Sequence, residues 1–185
     1  MALSSVVLFG LWSVAGGGTY AALTGSTGNA ANTFSAGTVT LTDNDSNAAM
    51  FSIANARPGV PESGCIKVSY GGSLNASVRM YGAVSGALAP HVKLTVVRGT
   101  DATPAFDNCA AFTPDATNYT GQGAGVLYTG TLAGYPVDHA GGVVDPISTW
   151  TPGTSASYRF TVEILDTNSA QGQNATATFT WEARS

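Results

Sequence analysis

Charge is what this sequence has least of. Only 10% of its 185 residues are Asp, Glu, Lys or Arg, two of them lysine, and no charged residue occurs before Asp43. The net charge of -4 comes with no basic cluster that would neutralise phosphates, which argues against nucleic acid as a partner. Histidine is scarce too, with His91 and His139 alone. A zinc hydrolase needs two or three ligands held together and a general base, and its compact form sets two histidines one helical turn apart around a glutamate. That pattern is missing: His91 follows Pro90 at a strand start, and His139 stands beside Asp138 in a Gly-rich stretch. Serine is plentiful, but no G-x-S-x-G nucleophile elbow occurs. There is no convincing amphipathic helix, no strand–helix–strand rhythm and no internal repeat. No catalytic residue, metal or cofactor is expected.

Cysteine is equally sparse, with Cys65 and Cys109. Two thiols without a nearby histidine make half a zinc site. In an exported chain such a pair is expected to form a disulfide, with two free buried thiols as the alternative.

What is abundant is apolar and small. Residues are 44% hydrophobic, and Val, Leu, Ile, Phe, Tyr and Trp recur throughout, which argues against disorder. From Phe34 onward, alternation predicts short strands at Phe34–Thr42, Ala49–Ala54, Cys65–Tyr70, Ala76–Val84, Val92–Val97, Val126–Thr129, Ser157–Leu165 and Asn174–Ala183. Asp43–Asn47 and Arg57-Pro58-Gly59 read as turns, and a short helical turn is expected within Gly86–Pro90. The segment from Gly99 to Gly125 reads as a long loop held by Cys109, and Thr131 to Trp150 as irregular. The expected fold is all-β: an antiparallel β-sandwich, jelly-roll-like, over residues 34–185.

The N-terminus reads differently. Leu3 to Val14 (LSSVVLFGLWSV) is an apolar run, too short and too Gly-flanked for a comfortable membrane span, and it ends in small residues. This predicts a signal peptide over residues 1–21, cut between Ala21 and Ala22. A retained, buried N-terminal strand is the alternative. No second apolar run of spanning length follows, so no transmembrane span is expected in the mature form. Cleavage would leave about 164 residues, enough for one domain with a core. Ala22 to Thr33 (ALTGSTGNAANT) would then be a free, uncharged segment leading into Phe34, with Leu23 as its one sizeable apolar anchor.

Several short stretches match a known pattern in order. Gly16 to Ala21 (GGGTYA) is followed by Asn32 to Leu41 (NTFSAGTVTL), then Ala54 to Val60 (ANARPGV), Gly72-Ser73-Leu74, and finally Ala177 to Ala183 (ATFTWEA). Together they resemble the TasA/camelysin family of secreted bacterial proteins. The resemblance spans the chain, although 99–154 carries no anchor. This sequence departs from the better-known members in its cysteine pair and its poverty in lysine.

The resemblance implies a jelly roll and an extracellular structural role. The expected function is a fibre-forming or fibre-associated subunit of the biofilm matrix or cell surface. It would assemble by donating the N-terminal strand, with Leu23 and Phe34 at the joint, and its partner would be a second copy or a related matrix protein. The camelysin branch implies the alternative of a cell-surface metallo-endopeptidase.

A second alternative is a carbohydrate-binding or adhesin module. It would use Tyr119, Tyr128, Tyr135 and Trp150, which lie in or near loops, whereas Tyr158, Phe160, Phe179 and Trp181 alternate with polar residues as core strands do. Asp43, Asn44 and Asp45, and separately Asp166 and Asn168, carry oxygen ligands suited to calcium or to ordinary turns. The sequons at Asn75, Asn118 and Asn174 bear on function in a glycosylating host alone.

Overall fold

Period-two alternation builds two antiparallel sheets that face each other. The computed structural model describes residues 36–52 and 56–185. The larger sheet holds β1 (Leu41–Asp43), β2 (Glu62–Tyr70), β4 (Val92–Asp101), β5 (Phe112–Pro114), β6 (Val126–Thr131) and β8 (Ser155–Ile164). Its order is β1-β2-β8-β4-β5, with β6 also pairing β4. The smaller sheet, β7-β3-β9, is built from Val143–Val144, Ser77–Ser85 and Thr176–Arg184. The chain crosses between sheets after β2, β3, β6, β7 and β8.

The inward residues are those the alternation points to. Ile66, Val68 and Tyr70 of β2, Val78 and Met80 of β3, Leu94 and Val96 of β4, and Tyr158 and Phe160 of β8 are all buried. β9 closes the core from the other side: Phe179 packs on Phe160 with ring centroids 4.4 Å apart, and Trp181 lies 5.6 Å from Tyr158. Fully burying each such large apolar side chain contributes about 1.5–3 kcal/mol over leaving it exposed.

Two glycines mark close approaches. A Cβ on Gly82 would lie 2.0 Å from the Thr178 carbonyl oxygen of β9, and one on Gly99 would lie 2.1 Å from that of Thr113 in β5. The turn at Arg57-Pro58-Gly59 forms as expected, with Gly59 left-handed at φ 73°. A short 3-10 turn follows β3 at Ala89–His91.

Four expectations need correction. The first strand is short: within the described part of Phe34–Thr42 regular pairing begins at Leu41. Upstream, Thr38 bonds instead to the 71–74 turn, accepting from Ser73 and Leu74 and donating to Ser73 Oγ. The described part of Ala49–Ala54 forms no strand and pairs with none among the described residues; Met50 and Phe51 pack as half-buried side chains against the core instead. The 99–125 segment is not all loop, since β4 runs on to Asp101 and pairs there with Phe112–Pro114. Finally, Trp150 and Tyr135 are buried and Tyr119 and Tyr128 half-buried, all packed with the core. None of the four offers an open aromatic platform: 131–150 folds onto the free side of β3 and takes Tyr135 and Trp150 with it, while Tyr119, and Tyr128 of β6, pack against the core.

Candidate functional site: an apolar cleft beside an open strand edge

Among the described residues the small sheet has one closed edge and one open edge. On the β7 side, Gly82 N bonds to Pro136 O, Asp145 N to Val78 O, and Ala76 exchanges both main-chain bonds with Trp150. The even-numbered residues of β3 therefore turn their main-chain groups toward β7, and the odd-numbered ones toward β9. In the β3–β9 register Gly82 faces Phe179 and Met80 faces Trp181. Ala177, Phe179, Trp181 and Ala183 must then direct their N–H and C=O groups away from β3. Among the described residues no strand pairs with that edge, and no main-chain bond to those four residues completes it. Strands usually protect such an edge with Lys, Pro or a bulge, and Thr176–Thr180 carries none of these.

An apolar cleft of about 670 Å³ runs beside it. Ile66, Val92, Val162 and Ile164 of the large sheet line it, Ala175–Phe179 and Trp181 form one flank, and Met50, Phe51 and Phe106 contribute as well. A smaller hollow of about 190 Å³ between β1 and β9 shares Phe179 and Trp181 with it. The Trp181 Nε1–H is buried without an acceptor among the described residues. The arrangement offers an extended peptide unpaired main-chain groups for its backbone and an apolar wall for alternate side chains. None of this was legible in the sequence, because edge status depends on which strands pair and not on local pattern.

A second constellation is closed. Asp145 is almost completely buried. Its Oδ1 accepts from Trp150 Nε1 at 3.1 Å and from Ile147 N at 2.9 Å. Its Oδ2 accepts from the Tyr158 hydroxyl at 2.7 Å and from Arg98 Nε at 3.0 Å. Arg98 also pairs with Asp115, which takes a further bond from the Tyr119 hydroxyl at 2.9 Å. Burial works against the Arg98 charge, but the two carboxylates outweigh it and hold the guanidinium protonated well above its ordinary value. With both Asp145 oxygens occupied, this network ties 99–125 and 131–154 to the sheets; it is a structural centre. Asp145 carried no sequence signal, standing in a Gly-rich stretch like any turn aspartate.

Burial, then the neighbouring Asp145 carboxylate, raises the Tyr158 hydroxyl well above the ordinary tyrosine value, and burial does the same for Tyr135. For a hydroxyl whose folded value lies above its unfolded value, the stabilisation is complete below pH about 10 and is lost as pH rises toward the folded value. In an ultraviolet difference titration Tyr135 and Tyr158 should ionise only as the fold opens. All tyrosines ionising together near pH 10 with unchanged circular dichroism would contradict the assignment.

Of the residues singled out in the sequence, Cys65 and Cys109 meet as a disulfide, Cα–Cα 5.2 Å. Ala21, Ala22, Leu23 and Phe34 lie outside the described residues. Asp43, Asn44 and Asp45 form side-chain-to-backbone turns: Asp43 accepts from Asp45 N, Asp45 from Asn47 N, and Asn44 from Lys67 N. Burial, then Asp45, raises the Asp43 pKa. Among the described residues His91 and His139 form no ion pair, and no set of three or more His, Cys, Asp and Glu has metal-ligand geometry. No described helix is long and apolar enough to cross a membrane.

Among the described residues, the fold and site thus define an antiparallel β-sandwich with an unpaired β9 edge beside an apolar cleft. The chain matches no protein-family model, and a search of curated proteins finds no match.

Proposed function

We propose that this chain is a secreted structural subunit of an extracellular matrix or cell surface, jelly-roll-like in its winding, that assembles by strand addition. The observation that carries this reading is the open β9 edge beside the apolar cleft. An added strand would complete the outward N–H and C=O groups of β9 and bury apolar side chains in the cleft, the physics common to strand-addition complexes. The occupant we assign is Ala22–Thr33 of a second copy, freed once residues 1–21 are removed. It carries no charge, so its insertion buries no ionised group, and Leu23 supplies an apolar anchor. Its 12 residues reach at most about 40 Å extended, against about 30 Å for the nine residues of β9. Donation from one copy to the next does not close on itself and so propagates as a filament. The disulfide agrees with export to an oxidising compartment.

Two variants divide the joint. Leu23→Asp should spoil the donor. Ala177→Pro should spoil the acceptor while leaving the β3 ladder, because Pro is tolerated on a free edge and removes an outward N–H. By electron microscopy the cleaved parent should form filaments and neither variant should. Mixed together they should give dimers, since one good donor then meets one good acceptor and the chain stops. Filaments from both single variants, indistinguishable from the parent's, would show that strand addition to β9 is wrong.

A further inference from the structure

The large sheet has an open edge of its own, and two loop segments reach it. β2 pairs with β8 from Glu62 to Ser69, but β1 pairs with β2 at Val68–Tyr70 alone. On the β1 side the stretch Glu62–Lys67 therefore has no strand beside it among the described residues. Two groups fill the gap: Asp107 N bonds to Cys65 O at 2.8 Å, and Asn44 Oδ1 accepts from Lys67 N at 2.9 Å. Asp107 belongs to a tight turn in which Ala105 bridges Asn108 and Asp107 is left-handed at φ 62°. The preceding residue, Phe106, lines the cleft beside β9. Gly64 of β2 lies between the two features: a Cβ there would meet the Met50 side chain and, at 2.7 Å, Asp107 Oδ1.

The loop is held from outside at very few points. Its remaining hydrogen bonds are local: Thr103 N to Asp101 Oδ1, Asn108 N to Ala105 O, Ala110 N to Asn108 Oδ1 and Phe112 N to Cys109 O. Among the described residues its ties to the rest of the fold are the Asp107–Cys65 bond, the packing of Phe106, and the covalent bridge from Cys109 to Cys65. The ladders β2–β8 and β4–β8 make no use of it.

We propose that the Cys65–Cys109 loop is a working part of the strand-acceptor site: it seats Phe106 in the cleft wall and closes the free edge of β2. The oxidised chain then takes an added strand along β9 alone, and the reduced chain has lost the wall and gained a competing edge. This rests on the strand-addition function proposed above and deepens it by making acceptance conditional on oxidation. In forming the bridge, the two thiols lose two protons and two electrons to an incoming disulfide, which leaves as two thiols. Reduction by dithiothreitol reverses this, the reagent departing as its cyclic disulfide. A chain still in a reducing compartment is thereby kept from polymerising before export.

The test uses a labelled synthetic peptide of residues 22–33 and the purified protein, oxidised or reduced at 25 °C, with circular dichroism reporting the fold. The oxidised form should bind the peptide at least tenfold more tightly than the reduced form. Phe106→Ala with the disulfide intact should weaken binding by a similar factor with the fold retained, which keeps the question answerable if reduction unfolds the chain. Equal binding by oxidised and folded reduced protein, or unchanged binding by Phe106→Ala, overturns the role of the loop and leaves strand addition standing. No binding by the oxidised protein overturns both.

Discussion

Replacing Asp145 by alanine is expected to destabilise the fold by about 3–5 kcal/mol, the range found when one partner of a buried ion pair is removed. The cost does not come from lost packing. It comes from what is left behind: Arg98 Nε, the Tyr158 hydroxyl, Trp150 Nε1 and the Ile147 N–H all give their bonds to this one carboxylate. A buried donor left without an acceptor costs about 1–3 kcal/mol in its own right. Asp115 would still neutralise Arg98 in part, which keeps the penalty below the sum of the separate losses. For a domain of this size such a change lowers the melting temperature by roughly 10 °C or more. Asp145→Asn keeps the volume and one acceptor oxygen, so it should cost clearly less than Asp145→Ala. If Asp145→Ala shifts stability by less than about 1 kcal/mol in denaturant titration, the network does not anchor 99–125 and 131–154 as described.

Removing the disulfide with Cys65→Ala and Cys109→Ala is expected to cost about 4 kcal/mol, the chain-entropy value for cysteines 44 positions apart. Alanine is the useful replacement because Cys65 is buried, and a serine hydroxyl there would add an unsatisfied polar group to the measurement. Most of the effect lies in the unfolded chain, which regains the freedom of the intervening loop. The folded sheet keeps β2 paired with β8 along Glu62–Ser69. Equilibrium unfolding of the double variant, compared with the oxidised parent, checks the value. A difference under about 1 kcal/mol would mean that the loop is already ordered in the unfolded ensemble or that the bond is not formed.

These two centres differ in how far the sequence announced them. The cysteine pair was visible because cysteine is rare here and pairs by chemistry that ignores the fold. Asp145 was invisible, because a buried carboxylate is defined by what surrounds it, and Arg98, Asp115, Trp150 and Tyr158 come from four separate stretches. The long loop expected over 99–125 hid β5 for a similar reason: Phe112–Pro114 is only three residues, and its strand character exists through its pairing with Gly99–Asp101. Trp150 and Tyr135 stand outside any alternating run, so local pattern left their exposure open. The packing of 131–150 along β3 buries both.

What the sequence determined by itself was whatever depends on near neighbours. Side chains in a strand alternate every two residues, so Ile66–Tyr70, Val92–Val96 and Tyr158–Ile164 declared their inward faces. Pro58-Gly59 declared a turn, because both residues restrict or permit φ locally. What the tertiary structure alone decided was which strands lie side by side. Hydrogen bonding between strands is a long-range choice made by the whole core. Among the described residues it leaves β9 with a partner on one side only, sets Met50 and Phe106 in one cleft with it although 56 positions separate them in the chain, and so forms an edge and a cleft that no single stretch encodes.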